Sequence, residues 1–240
     1  MSTSGEHGTG AVPGPGGVPV LRLPGRGAMQ DLATFTGRAR RVDPDGAVRL
    51  VLRDTLLAAY VSPVHGGGGP TVLGLRVARL PGPGAAHDLD LTVPLSGLAD
   101  RFARVVAGGL LGPDAPIDLP LPLPARGVEW AGVSPPRTGW DVLGTVPEAL
   151  VQQAARDGAR EVAEGAGDTS GGAAVARLRA AVWGREVPGT EGLPAGAAFA
   201  ADALGFVVPG EPVVLHRAGR WLRLTTRHGH VLARPALLSP

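Results

Sequence analysis

Glycine and proline interrupt this chain so often that no element can run far. The 240 residues include 38 glycines and 24 prolines, about a quarter of the total. In a helix interior glycine costs about 1 kcal/mol and proline about 3 kcal/mol relative to alanine, and proline removes a ladder donor from a strand. The ordered pieces must be short, and loops must separate them. Hydrophobic residues make up 44%, enough to build a core between those breaks.

Read between the breaks, the first half predicts strands. TFTGRARRV (34–42) and AVRLVLRD (47–54) flank Asp43-Pro44-Asp45-Gly46, a strong turn signal, and are expected to form a hairpin. LLAAYVSP (56–63), TVLGLRVARL (71–80) and HDLDLTVPL (87–95) continue with strand-like patterning. Ser96 is expected to cap one short helix, GLADRFARVV, ended by Gly108-Gly109. Residues 1–28, rich in glycine, proline and serine, are expected to be a disordered tail, and Met29 is an alternative start. The divisions are thus a tail (1–28), a β-rich half (29–111), a proline-rich connector (112–127) and a second half (128–240).

The second half predicts three helices, over 147–164, 173–183 and 194–206. The last is apolar almost all round and is expected to be buried. It also removes a winged-helix reading, because its only charged residue is Asp202 and a DNA-reading helix needs polar or basic side chains. A three-stranded antiparallel meander follows. The fold class expected is α+β.

Composition excludes several chemistries. There is no cysteine and no lysine, and Tyr60 is the single tyrosine. Disulfides, thiol nucleophiles, cysteine metal ligands and lysine Schiff bases are all ruled out. All 23 basic residues are arginine, a usage typical of high-GC actinobacterial genomes. The sequence pI is about 10.2, yet formal net charge is only +2. Almost nothing titrates between about pH 8 and 11, so a small excess of arginine moves the pI far, and the pI is no argument for nucleic acid. No run of 18 apolar residues exists, so no membrane span is expected, and the cytoplasm is the expected compartment.

Three short motifs invite chemistry. HGGGGP (65–70) resembles an esterase oxyanion segment, but no serine lies on the required G-x-S-x-G elbow. GDTSGG (167–172) carries a threonine that displaces Asp168 from the serine-protease spacing. Asp88 and Asp90 alternate around a strand beginning at His87, without an identifiable third ligand. Each reads more simply as a loop or a wet strand face. No catalytic residue, cofactor or metal site is assigned.

Two places remain as candidate binding sites. Trp130 and Trp140 bracket a proline-fixed loop containing Arg137, so Arg137 and Trp140 form a candidate recognition loop. The C-terminal HRAGRWLRLTTRHGHVLAR (216–234), folded with turns at Ala218-Gly219 and His228-Gly229, sorts its side chains by face. Val213, Leu215, Leu222, Leu224, Val231 and Ala233 fall on one side. His216, Trp221, Arg223, Arg227, His230 and Arg234 fall on the other, with Arg223 expected opposite Arg234. That second face is either an anion-binding surface with Trp221 as a stacking platform or an ordinary solvated or covered sheet face. The favoured function is a non-enzymatic interaction or structural protein, with a protein partner or a homo-oligomer. The alternative is a binder of nucleic acid or another anionic ligand through this face. A third reading is a hydrolase whose Asp, His and Arg side chains converge only in the fold.

Overall fold

A computed structural model describes residues 18–80, 88–109, 112, 114–167 and 171–236. The protein is α+β, as expected. Its elements run β1 (Val20–Leu23), α1 (Arg26–Val42), β2 (Ala47–Arg53), β3 (Leu56–Val64), β4 (Thr71–Arg79), β5 (Leu89–Pro94), α2 (Leu95–Ala107), β6 (Ile117–Pro120) and β7 (Asp141–Val146). They continue α3 (Glu148–Gly167), α4 (Gly172–Gly184), α5 (Ala195–Ala203), β8 (Val213–Ala218), β9 (Trp221–Thr226) and β10 (Gly229–Arg234).

Eight strands form one antiparallel sheet in the order β5-β2-β3-β4-β10-β9-β8-β7. The two halves of the chain meet inside it, where β10 pairs with β4 from His230↔Leu75 to Arg234↔Thr71. On the inner face, Val48, Leu50, Leu57, Val61, Val72, Val93, Leu215, Leu224 and Val231 join one continuous core with the helices. α5 covers the junction. Its Gly196, Ala197, Ala198, Ala200 and Ala201 are buried, which lets it approach closely, and Leu204 sits where a Cβ on Gly74 of β4 would be, 2.2 Å from its Cδ1. α1 reaches across from the first half. Phe35 stacks on Phe206 with centroids 5.9 Å apart, and the Arg38 guanidinium donates to the Leu204 carbonyl at 2.9 Å.

Three expectations need correction. Residues 34–42 are not a strand but the end of α1, whose buried Met29, Leu32, Phe35, Thr36 and Ala39 recur at helical spacing. The Thr-Phe-Thr run and the following turn suggested β structure, but one helical face over the sheet buries more apolar surface. Within the tail expected to be disordered, residues 18–28 form β1 and open α1, while residues 1–17 lie outside the described residues. β1 pairs with β6 from the connector, Val20↔Pro120 to Leu23↔Ile117, and Leu21, Leu23, Leu119 and Leu121 are at most 1% exposed. The first half therefore holds two helices, not one, and the connector is partly a strand. Residues 128–144 hold a 3-10 turn (Glu129–Gly132) and the start of β7.

Candidate functional site

The C-terminal meander forms, and its faces are those its pattern predicts. Val213, Leu215, Leu222, Leu224, Val231 and Ala233 are all buried on the helix side. The turns are each one residue from the expected place. Ala218 pairs with Trp221, so Gly219-Arg220 makes the first turn, and Gly229 pairs with Thr226, so Arg227-His228 makes the second. Moving a turn by one residue changes each pairing by two, which keeps every residue on its face. The individual pairs do change. Arg223 opposes His216 and Leu232, while Arg234 opposes Thr71 of β4. The Arg223–Arg234 pairing expected from the sequence does not form.

The outward face gathers His216, Trp221, Arg223, Thr225, His230 and Arg234, but Arg227 is not among them. It occupies the β9–β10 turn, pairing with Glu211 at 2.6 Å, and His228 beside it contacts the same carboxylate at 3.3 Å. Trp221 is 8% exposed. It belongs to a second, smaller core with Ala47, Leu73, Trp130 and Leu232, against which Tyr60, Val128 and Trp140 pack. Arg234 lies over its ring at 5.5 Å. A ring so covered cannot offer its face to a base.

The recognition loop is what closes this face. Trp140 stacks on Arg223 with the guanidinium carbon 4.5 Å from the ring centre, and its indole N–H donates to the Pro136 carbonyl at 3.2 Å. Arg137 lies near enough to Tyr60 and Asp90 to influence both electrostatically. The two candidate sites of the sequence thus meet at the Arg223–Trp140 contact. Proline-fixed loops and sheet faces carry no signal in sequence that they touch, so spacing alone cannot join them.

Arg49 anchors the same covering segment. It grips Asp90 with two bonds of 2.7 Å and donates to the Ala131 carbonyl at 2.7 Å. The hydrogen bond from Arg49 holds the Asp90 carboxyl below its ordinary range, and burial raises the Tyr60 phenol. Asp90 is therefore engaged by Arg49, Asp88 pairs with Arg53 at 3.7 Å, and His87 lies outside the described residues.

Around Arg223 the electrostatics differ. Burial lowers its pKa, and no carboxylate opposes that shift. His216 is lowered by burial and by Arg223. His230 is lowered to about 4, first by burial and then by Arg223 and His216. Its Nδ1 lies 3.1 Å from the Thr225 hydroxyl.

The glycine loop of HGGGGP lies elsewhere, against α4. Gly66, Gly67 and Gly68 all have φ between 62 and 78°, and a Cβ on Gly69 would come within 3.1 Å of Ala180, so these glycines serve turn and packing. The loop borders a cleft of about 290 Å³ that also holds Asp43, His65, Arg179 and Trp183. Among the described residues no serine or threonine lines it, and the nearby Ser62 hydroxyl is buried, donating to the Val72 carbonyl at 2.9 Å. Of GDTSGG, residues 168–170 lie outside the described residues. Among the described residues no helix is long and apolar enough to cross a membrane.

Comparisons with known proteins add the following. Residues 17–122 match the family model described as Domain of unknown function (DUF8010), and residues 135–238 match Domain of unknown function (DUF8185). A search of the curated proteins gives no match. Among solved structures, the chain is similar to Caulobacter crescentus pol III beta, with 10% identity, a TM-score of 0.49 and coverage of 92% of this chain and 65% of that one. It is also similar to the DNA polymerase sliding clamp from Pseudomonas aeruginosa, with 11% identity, a TM-score of 0.44 and coverage of 92% and 65%. The chain thus spans 65% of the length of each.

Proposed function

We propose that this chain is a non-enzymatic, cytoplasmic interaction protein that docks through the free edge of its eight-stranded sheet. The observation that carries the reading is β7. Among the described residues it ends the sheet, pairs only with β8, and leaves Asp141, Val142, Gly144 and Thr145 exposed. Val142 is 67% exposed. The opposite edge is protected, because the connector lies along β5, where the Ala125 N–H donates to the Thr92 carbonyl at 2.9 Å. An unshielded row of backbone donors and acceptors accepts another strand. The irregularity between Val142 and Gly144 limits the pairing to a short, chosen partner. A second copy, with β7 antiparallel to β7 across a two-fold axis, satisfies both edges at once.

Sedimentation equilibrium tests this. Wild type is expected to self-associate with increasing concentration, and Val142→Lys to remain monomeric, with the same melting temperature as wild type at dilutions where both are monomers. A wild type that stays monomeric throughout, or a variant that associates equally, removes the reading.

The binder of an anionic ligand remains as a second reading, supported by Arg223. In this reading the ligand meets guanidinium and imidazole groups, not the Trp221 ring.

A further inference from the structure

Most half-buried arginines here have an acceptor. Arg49 holds Asp90 and a carbonyl, Arg76 holds Asp31 and the His228 carbonyl, and Arg38 holds the end of α5. Arg223, like Arg101 on α2, lacks one. Among the described residues it makes no ion pair, and its Nε is shut away from solvent without a hydrogen-bond partner. Nδ1 of His216, directly opposite on β8, is likewise closed off from solvent with no close hydrogen-bond partner, although its ring lies near the backbone of Arg223 and Val214. His230 completes the group from β10, opposite Thr225, two residues beyond Arg223 on the same face.

We propose that Arg223, His216 and His230 form a binding site for an oxyanion, a carboxylate or phosphate group, closed on one side by Trp140. A guanidinium partly removed from water needs acceptors, and a ring face supplies attraction but no lone pair in the fork plane. A carboxylate or phosphate does, with two oxygens matched to the guanidinium fork. The histidines suit the role when neutral. If the Thr225 hydroxyl donates to Nδ1 of His230, Nε2–H of that ring is left as a donor. No carboxylate shifts either histidine, while Arg223 lowers both, so the cluster is positive or neutral at every pH near 7. All three residues are half-buried, and because Nε of Arg223 and Nδ1 of His216 are closed off from solvent, the anion meets the site through the Nη atoms of Arg223 and the remaining ring nitrogens. The site does not depend on docking at β7.

Imidazole NMR signals of His216 and His230 can be followed during titration with inorganic phosphate and, separately, with acetate, each against chloride at equal ionic strength. Saturable shifts confined to these two histidines are expected, with both pKa values raised by the bound anion. A response to phosphate alone names a phosphoryl ligand, and a response to acetate names a carboxylate. Arg223→Met, which keeps the stem against Trp140, should weaken binding by about tenfold or more, and Arg223→Lys should weaken it less. Arg177→Met, on the exposed face of α4, should leave it unchanged. If neither anion shifts the wild-type histidines, or if Arg223→Met binds as wild type does, the site does not exist.

Discussion

At the scale of single residues, Gly158 in α3 illustrates how packing overrules propensity. Glycine to alanine in an exposed helix interior is stabilising by about 1 kcal/mol. Here a Cβ would lie 2.4 Å from the Trp183 ring, and that ring is 3% exposed and stacked on Phe199 at 4.5 Å. Gly158→Ala is therefore expected to destabilise by about 1–3 kcal/mol, read as a lower urea midpoint. His230 supplies a pH dependence. In the unfolded chain it gains a proton below about pH 6.5, whereas in the fold it stays neutral down to about 4. A lowered folded value means that acid favours the unfolded chain, so stability falls between those limits and this contribution is complete below them. Solvent screening of the half-buried ring holds the loss to roughly 1–2 kcal/mol. His216 acts in the same direction. Urea unfolding at about pH 7 and about pH 4.5 should show the drop, and His230→Gln should shrink it.

At the scale of elements, legibility followed periodicity. The meander's faces could be read because its alternation is clean from Val213 to Ala233. The same alternation left the turns free to move by one residue, since either position keeps leucines and valines inside. α1 shows the opposite failure, where a helical stripe was hidden by β-branched and turn residues at its end. One contact between elements is open to test. Gly205, with φ of 66°, follows the end of α5, and Arg38 bonds the Leu204 carbonyl there. Arg38→Met is expected to cost about 1–2 kcal/mol by freeing that carbonyl and unfastening α1 from α5, measured by thermal melts. Val142→Lys on β7, by contrast, should leave those melts unchanged at dilutions where wild type is monomeric.

At the scale of the whole molecule, β4 and β10 make one sheet from two halves that match different family models. We expect the described fold to melt in a single cooperative transition by calorimetry. Residues 128–240 expressed alone should be poorly folded, since they lose β4, Phe35 and the Ala47, Tyr60 and Leu73 contribution to the smaller core around Trp221. Two resolved transitions, or a well-folded fragment, would show that the halves are separate domains.

Composition determined which chemistries are unavailable, since an absent thiol or amine cannot be supplied by folding. Local alternation determined the faces of β8, β9 and β10, and uniform apolarity determined that α5 would be buried, because both depend only on neighbours along the chain. The tertiary structure alone decided that β10 would join β4 and that Trp140 would cover Arg223. It also left β7 open while β5 was shielded. These are matters of which distant surfaces meet, set by shape and total burial over the whole chain, and no local spacing records them.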